Sequence, residues 1–226
     1  MALRIIVSYD DTDNDRDALA LGRLLAFSGA ELSLAYVRHA QGGALEQKEA
    51  EELLERGAEA VGAPDMARHV IVNPGTSVGL AELAERESAD IVVFGSEYRT
   101  AAGTVKPGIS AHKLLLGGPA AIAVAPAGMR EHPSAGIDTI GILDEGDPAA
   151  RETAASLAAA LGAEVAEFKG HPVDLLVVGS RPESPQGKVT LSASSDYAVE
   201  AATYPVLVVA RGTALSFGST PAPASA

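Results

Sequence analysis

The chain of 226 residues carries a formal charge of −13 and no cysteine. This removes disulfides, thiolate metal sites and cysteine nucleophiles, and it sets a field that repels nucleic acid. Hydrophobic residues reach 47% while aromatics stop at 4%, so the core of one large domain or two small ones must be aliphatic and alanine-rich.

Leu3 to Val7 is a strand-like run directly after Met1, with no charged segment and long apolar stretch before it. No apolar run approaches the length of a membrane span, so a soluble, cytoplasmic protein without a membrane partner is expected. Asp13 to Ser28 follows with Leu19, Leu21, Leu24, Leu25 and Phe27 at helical spacing and acids in its first turn, where they suit the helix dipole. Glu31 to Val37 reads as a second strand, Gly42 and Gly43 as a loop, and Ala44 to about Gly62 as a Glu-rich helix with one solvated face. His69 to Val72 is a short strand, Thr76 to Glu87 a helix, and Asp90 to Phe94 a strand ending at Gly95 and Ser96. A glycine-bearing loop leads to a helix over Ile109 to Leu116 and a strand over Ala120 to Ala125. Strands alternating with helices predict an open parallel α/β sheet, Rossmann-like, covered on both faces.

Pro126 to Gly136 has linker composition, after which the pattern restarts. Ile137 to Leu143 is a strand, Pro148 to Leu161 a helix, Asp174 to Val178 a strand ending at Gly179 and Ser180, Ser192 to Thr203 a helix, and Val206 to Ala210 a closing strand. The halves repeat: Asp10 is answered by Asp144, Gly95-Ser96 by Gly179-Ser180, and the strand after Pro119 by the strand after Pro205. The second half is about fifty residues shorter, the size of a helix–strand–helix segment. Ala163 to Phe168 reads as a remnant strand. A parallel crossover takes a dozen or more residues, so this remnant is not expected beside its neighbours as an ordinary parallel strand. The resulting boundaries are a complete unit over 1–128, a linker over 129–136, a truncated unit over 137–212 and a disordered, Pro/Ser/Ala-rich tail over 213–226.

Several motifs are incomplete. Asp11 to Asp15 lacks the Gly and Glu of a calcium loop, with Arg16 and Gly22 in their places. Gly108-Ile-Ser-Ala-His112 ends in His where a nucleophile elbow needs Gly, and a long loop precedes it. His39, His69, His112, His132 and His171 have no metal-ligand spacing. No catalytic constellation is present, and no enzyme activity is expected.

The opening Ile6-Val-Ser-Tyr-Asp-Asp-Thr12, the second strand Leu32-Ser-Leu-Ala-Tyr-Val37 and the ending Tyr204-Pro-Val-Leu-Val-Val209 resemble the universal stress protein family over nearly the whole chain. That family opens with a strand ending Val-Asp-Gly-Ser, and here Asp11 stands at the glycine. Members that bind ATP carry Gly-x2-Gly-x9-Gly-Ser/Thr after the fourth strand, small residues that let backbone N–H groups close on phosphates. The first half has Gly95 and Gly108, with Tyr98 at the second glycine, Ile109 where Ser is usual and Ser110 one further on. The second half has Gly179, with Pro182 and Ser192 at the others, and Pro182 removes an N–H donor.

The resemblance therefore implies ATP or another adenine nucleotide in the first half and leaves Mg2+ open. Its site residues would be Ser8, Tyr9, Asp10, Asp11, Val37, Phe94, Gly95, Ser96, Gly108, Ile109 and Ser110. Asp10 and Val37 would lie at adenine and ribose, Gly95, Gly108 and Ser110 near phosphates, and Arg99 and Lys106 would add positive charge. The alternative it implies is a scaffold with degenerate phosphate loops and a protein partner. Family members pair through the last strand of each unit, and this chain can make that pairing internally as a pseudo-dimer, with homodimerisation open.

Overall fold

Successive side chains along a strand point to opposite faces, and the central strands are buried on both, so two apolar layers follow. In the computed structural model, which describes residues 2–27, 29–39, 46–131 and 136–218, Ile5 and Val7 lie in one layer and Ile6 in the other; Ile91 and Val93 are likewise separated from Val92 and Phe94. The strands are β1 (Arg4–Ser8), β2 (Glu31–Arg38), β3 (Ala67–Val72), β4 (Ile91–Gly95), β5 (Ala121–Ala125), β6 (Thr139–Leu143), β7 (Glu164–Glu167), β8 (Leu175–Val178) and β9 (Val206–Val208). The helices are α1 (Asp13–Ala26), α2 (Gln47–Ala60), α3 (Thr76–Glu87), α4 (Ile109–Leu115), α5 (Ala149–Leu161) and α6 (Ala193–Glu200). Helices α1, α2 and α5 cover the first layer and α3, α4 and α6 the second.

All nine strands form one sheet in the order β3-β2-β1-β4-β5-β9-β8-β6-β7. Every pair is parallel except β5 with β9, which run antiparallel with Ile122 opposite Val208 and Val124 opposite Val206. The closing strands of the two halves thus meet at the centre, and the sheet is mixed rather than purely parallel.

Around this seam the halves repeat one hydrogen-bond pattern. Ser96 Oγ donates to Ala125 O (2.7 Å) and accepts from Lys106 N (3.1 Å). Ser180 Oγ donates to Val209 O (2.7 Å) and accepts from Thr190 N (3.1 Å). Each partner is displaced by 84 residues (96 to 180, 106 to 190, 125 to 209). The same offset makes two contacts reciprocal: Val105 N donates to Ala202 O (2.9 Å), and Val189 N to Gly118 O (3.1 Å). The seam therefore has the self-complementary form of a two-fold interface.

Three expectations are corrected. First, β7 is an ordinary parallel neighbour of β6, from Thr139 opposite Glu164 to Ile142 opposite Glu167. It occupies the place of β2, so the segment missing from the second half is the equivalent of α2-β3-α3. The chain returns from β7 to β8 across β6 in only seven residues, 168–174. Such a segment spans about 23 Å when extended, while a four-residue strand and two strand spacings need about 16 Å along the diagonal. A crossover without a helix is thus within reach because the strands are so short. Gly141 provides the room: a Cβ there would stand 3.0 Å from the Val173 side chain and 3.3 Å from Leu176.

Second, the β6 register sets Ile140 against Leu175 as the β1 register sets Ile5 against Ile91. Asp10 therefore corresponds to Glu145, not Asp144. Backbone conformation agrees: Asp11 has φ +57° and Gly146, its counterpart, φ +94°. Asp144 is a turn residue, accepting from Gly146 N (2.7 Å) and pairing with Arg151 (3.3 Å).

Third, residues 213–218 are packed. Leu215 and Phe217 are buried in the first layer, and their N–H groups donate to Thr153 Oγ1 (2.9 Å) and Ser156 Oγ (2.8 Å) of α5. Residues 219–226 of the expected tail, residues 132–135 of the expected linker with His132, and the Gly42-Gly43 loop lie outside the described residues. The linker's start is anchored: a 3-10 turn at Met129–Glu131 follows Gly128, whose N–H donates to Asp17 of α1 (2.7 Å).

Candidate functional site

The strand order gives the position of a site before any side chain is considered. From β1 the chain moves one way, to β2 and β3; from β4 it moves the other way, to β5. The crevice beyond the carboxyl ends of β1 and β4 is the point where open α/β sheets hold ligands. It is flanked by Tyr9–Asp11 after β1 and by Gly95 and Ser96 at the end of β4, with Gly108 as the N-cap of α4.

The residues after β1 are fixed by a local network. Asp11 adopts the left-handed region, a conformation that costs most L-residues about 1–2 kcal/mol and that Asp tolerates better than most. Its carboxylate accepts from Tyr9 Oη (2.8 Å) and from Arg16 Nη2 (3.0 Å) and Nε (3.2 Å). Partial burial pushes the Asp11 carboxyl up, but those two donors outweigh it and hold the group below the usual range. Burial, then Asp11, pushes the Tyr9 phenol up to about 12. The Tyr9 ring needs Gly57 of α2, where a Cβ would come within 2.6 Å of it.

Asp15 caps this turn. Its carboxylate accepts from Thr12 Oγ1 (2.5 Å), Asp10 N (3.1 Å) and Thr12 N (3.3 Å), and Thr12 Oγ1 accepts from Asp15 N (3.3 Å), completing a capping box. Desolvation dominates over these bonds and raises Asp15 to about 6. Asp10, next to it, has no hydrogen-bond partner for its carboxylate among the described residues. Desolvation on its inner side and the neighbouring Asp11 raise its pKa, and His39 opposes them. His39 lies at the end of β2, with Nδ1 3.1 Å from Asn73 O and Nε2 3.3 Å from Thr76 Oγ1.

At the end of β4, Gly95 is required by packing: a Cβ there would lie 1.9 Å from Asn14 O at the start of α1. Asn14 Nδ2 also donates to Ser96 O (2.7 Å). Ser96 is buried with its hydroxyl committed to the loop and β5, and Lys106 is paired with Glu97 (2.6 Å). Arg99 has φ +68° and lies over the Tyr98 ring at 5.2 Å. Gly108 is different, for nothing stands within 4 Å of a Cβ built there.

The structure therefore brings together Ser8, Tyr9, Asp10 and Asp11 at the end of β1 with Gly95 and Ser96 at the end of β4. Tyr9, Val37 and Phe94 have side chains buried in the two apolar layers, Val37 against Gly79 of α3. Ile109 is exposed and Ser110 half-buried on the first turn of α4. Asn14 and His39 carry no sequence signal for a place at this crevice. Asn14 sits in an acidic run that reads as helix-start charge, and His39 follows a strand with no motif around it. Among the described residues no group of acids, histidines or cysteines is arranged to hold a metal ion, and no helix is long and apolar enough to cross a membrane.

No protein-family model and no curated protein matches the chain. Solved structures do. A universal stress protein from Archaeoglobus fulgidus DSM 4304 aligns over 92% of this chain and 98% of its own at 17% identity, with a TM-score of 0.58. A putative universal stress protein from Pseudomonas aeruginosa UCBPP-PA14 aligns over 92% and 93% at 12% identity and TM-score 0.66. A functionally unknown protein from Pseudomonas aeruginosa PAO1 aligns over 93% of each chain at 13% identity and TM-score 0.64. The chain has the fold of universal stress proteins.

Proposed function

We propose that this protein works as a universal stress protein in the cytoplasm, binding ATP or another adenine nucleotide in the crevice between β1 and β4 as a sensor that does not turn its ligand over. The observation that supports this is the contrast within the crevice. Most polar groups around it are committed to the fold, while the Asp10 carboxylate is uncommitted and Gly108 opens onto empty space. A carboxylate at a strand end suits a ribose hydroxyl, and a glycine at the start of a helix lets backbone approach a phosphate.

The test is to denature purified protein, analyse the released small molecules, and titrate the stripped chain with ATP, ADP and AMP. A dissociation constant in the micromolar range, about −8 kcal/mol, is expected. Asp10→Ala and Gly108→Val are expected to weaken it tenfold or more, on the order of 1.4 kcal/mol each. Gly108→Val is the cleaner variant because the fold leaves room for the side chain, whereas Gly95 cannot accept one. No binding at millimolar nucleotide overturns the reading.

A second reading, a scaffold for a protein partner, is favoured by one feature. The loop after β4 satisfies its own polar groups through Ser96, Lys106–Glu97 and Arg99 over Tyr98, and Tyr98 is 78% exposed. Under that reading nucleotide titrations are flat and Tyr98→Ala weakens partner capture.

A further inference from the structure

The second half has its own switch point. Its strand order, β9-β8-β6-β7, reverses between β6 and β8, and the crevice there is flanked by Glu145 after β6 and Gly179 and Ser180 after β8. By the sheet registers Glu145 is the counterpart of Asp10. By the 84-residue offset Ser192 and Ser195 are the counterparts of Gly108 and Ala111. In the first half a short carboxylate and a bare glycine leave the crevice open. In the second, each position carries extra atoms that meet in the middle.

Glu145 Oε1 accepts from Ser192 Oγ (2.6 Å) and from Ser195 Oγ. Ser195 is fully buried. Ser192 is the N-cap of α6, its Oγ accepting from Ser195 N (3.1 Å) and lying 2.8 Å from Ser194 Oγ. The Glu145 backbone N–H lies 3.4 Å from where a Gly179 Cβ would stand, so the residue is seated against the end of β8 as well. A carboxylate reaching from one strand end across the crevice to hydroxyl donors at a helix start makes the contacts an anionic ligand would make there.

We propose that Glu145 is an intramolecular anion that fills and closes the second crevice, so that each chain offers one open crevice, in its first half. This rests on the proposed nucleotide site only for what the first crevice binds; the closure of the second is independent of it. The difference between the halves reduces to three positions, Asp10 against Glu145, Gly108 against Ser192 and Ala111 against Ser195.

The test uses the full chain with the first crevice blocked by Gly108→Val, and inorganic tripolyphosphate as the anion. In that background, Glu145→Ala is expected to lower the melting temperature, and millimolar tripolyphosphate to restore it. The amide signals of residues 192–195 should shift, with affinity on the order of tenfold or more above that of the parent carrying Glu145. Adding Ser192→Ala and Ser195→Ala should abolish the rescue. Should Glu145→Ala not fold, Glu145→Asp combined with Ser192→Gly, which recreates the first half's pair, serves for the same titration. Loss of stability without rescue or shifts would make Glu145 a helix cap only and overturn the proposal. So would tripolyphosphate binding at residues 192–195 with equal affinity in the parent. Absence of nucleotide binding by the wild-type chain would instead strike the first-half site and leave this result untouched.

Discussion

Two acids in α1 serve stability in different ways, because Asp17 is paired with a guanidinium and Asp15 is desolvated without a cation beside it among the described residues. Asp17 is fully buried, and its carboxylate accepts from Gly128 N (2.7 Å), Arg130 N (2.9 Å) and the Arg130 guanidinium (3.0 and 3.1 Å). It ties α1 to the chain leaving β5. Asp17→Ala leaves those donors without their acceptor and is expected to cost about 3–5 kcal/mol in denaturant unfolding. Asp15 is raised from 3.8 to about 6. Between these values the native state holds a proton that the unfolded chain has released, so stability falls as pH rises through that window. The loss is on the order of 2–3 kcal/mol for a shift of this size. Chemical denaturation at pH 4 and pH 7 should show it, and Asp15→Asn should flatten the difference.

At the scale of elements, the sequence is most legible where the apolar period is clean. Thr76–Glu87 has the same ends in both accounts, and the other helices agree within a few residues, because their buried faces and capping residues are local signals. The parallel order follows from the alternation of strands and helices, and the meeting of Ala120–Ala125 with Val206–Ala210 is the pairing that the family resemblance implies. The place of β7 does not. It depends on how far seven extended residues reach and on the missing side chain of Gly141, neither of which a typical crossover length conveys. Gly141→Val is expected to push Val173 and the crossover off the sheet, costing about 1–3 kcal/mol by overpacking; Gly141→Ala, whose single methyl meets only the side chains of Val173 and Leu176, should cost less. The site was legible as a neighbourhood rather than as roles. Gly95 and Ser96 were found by motif, but their reasons, the close pass of Asn14 and the bond to Ala125, are tertiary. The one-residue shift that equates Asp10 with Glu145 follows from strand register and from the left-handed turn after it, since an acid stands at both 144 and 145.

For the molecule as a whole, the central β5–β9 pair joins the halves in one continuous sheet, and their unfolding is expected to be coupled. Both strands are buried throughout, and each is hydrogen-bonded on both sides. The reciprocal Val105–Ala202 and Val189–Gly118 bonds clamp the loops across the same seam. Hydrogen exchange should therefore report a common opening free energy for β5 and β9 amides. Leu175→Ala, in the core of the second half, is expected to destabilise by about 2–5 kcal/mol and to speed exchange in β5 as much as in β9; protection lost in β9 alone would contradict this.

A two-fold interface made by separate identical chains presents every substitution twice, once on each side of the axis. Here the axis passes through a single polypeptide whose strands β5 and β9 are Ala-Ile-Ala-Val-Ala and Val-Leu-Val, so the two sides are already unlike. A change at one crevice is inherited without its mirror image. The second half lacks a whole helix–strand–helix segment and still presents the strand that its twin's edge pairs with.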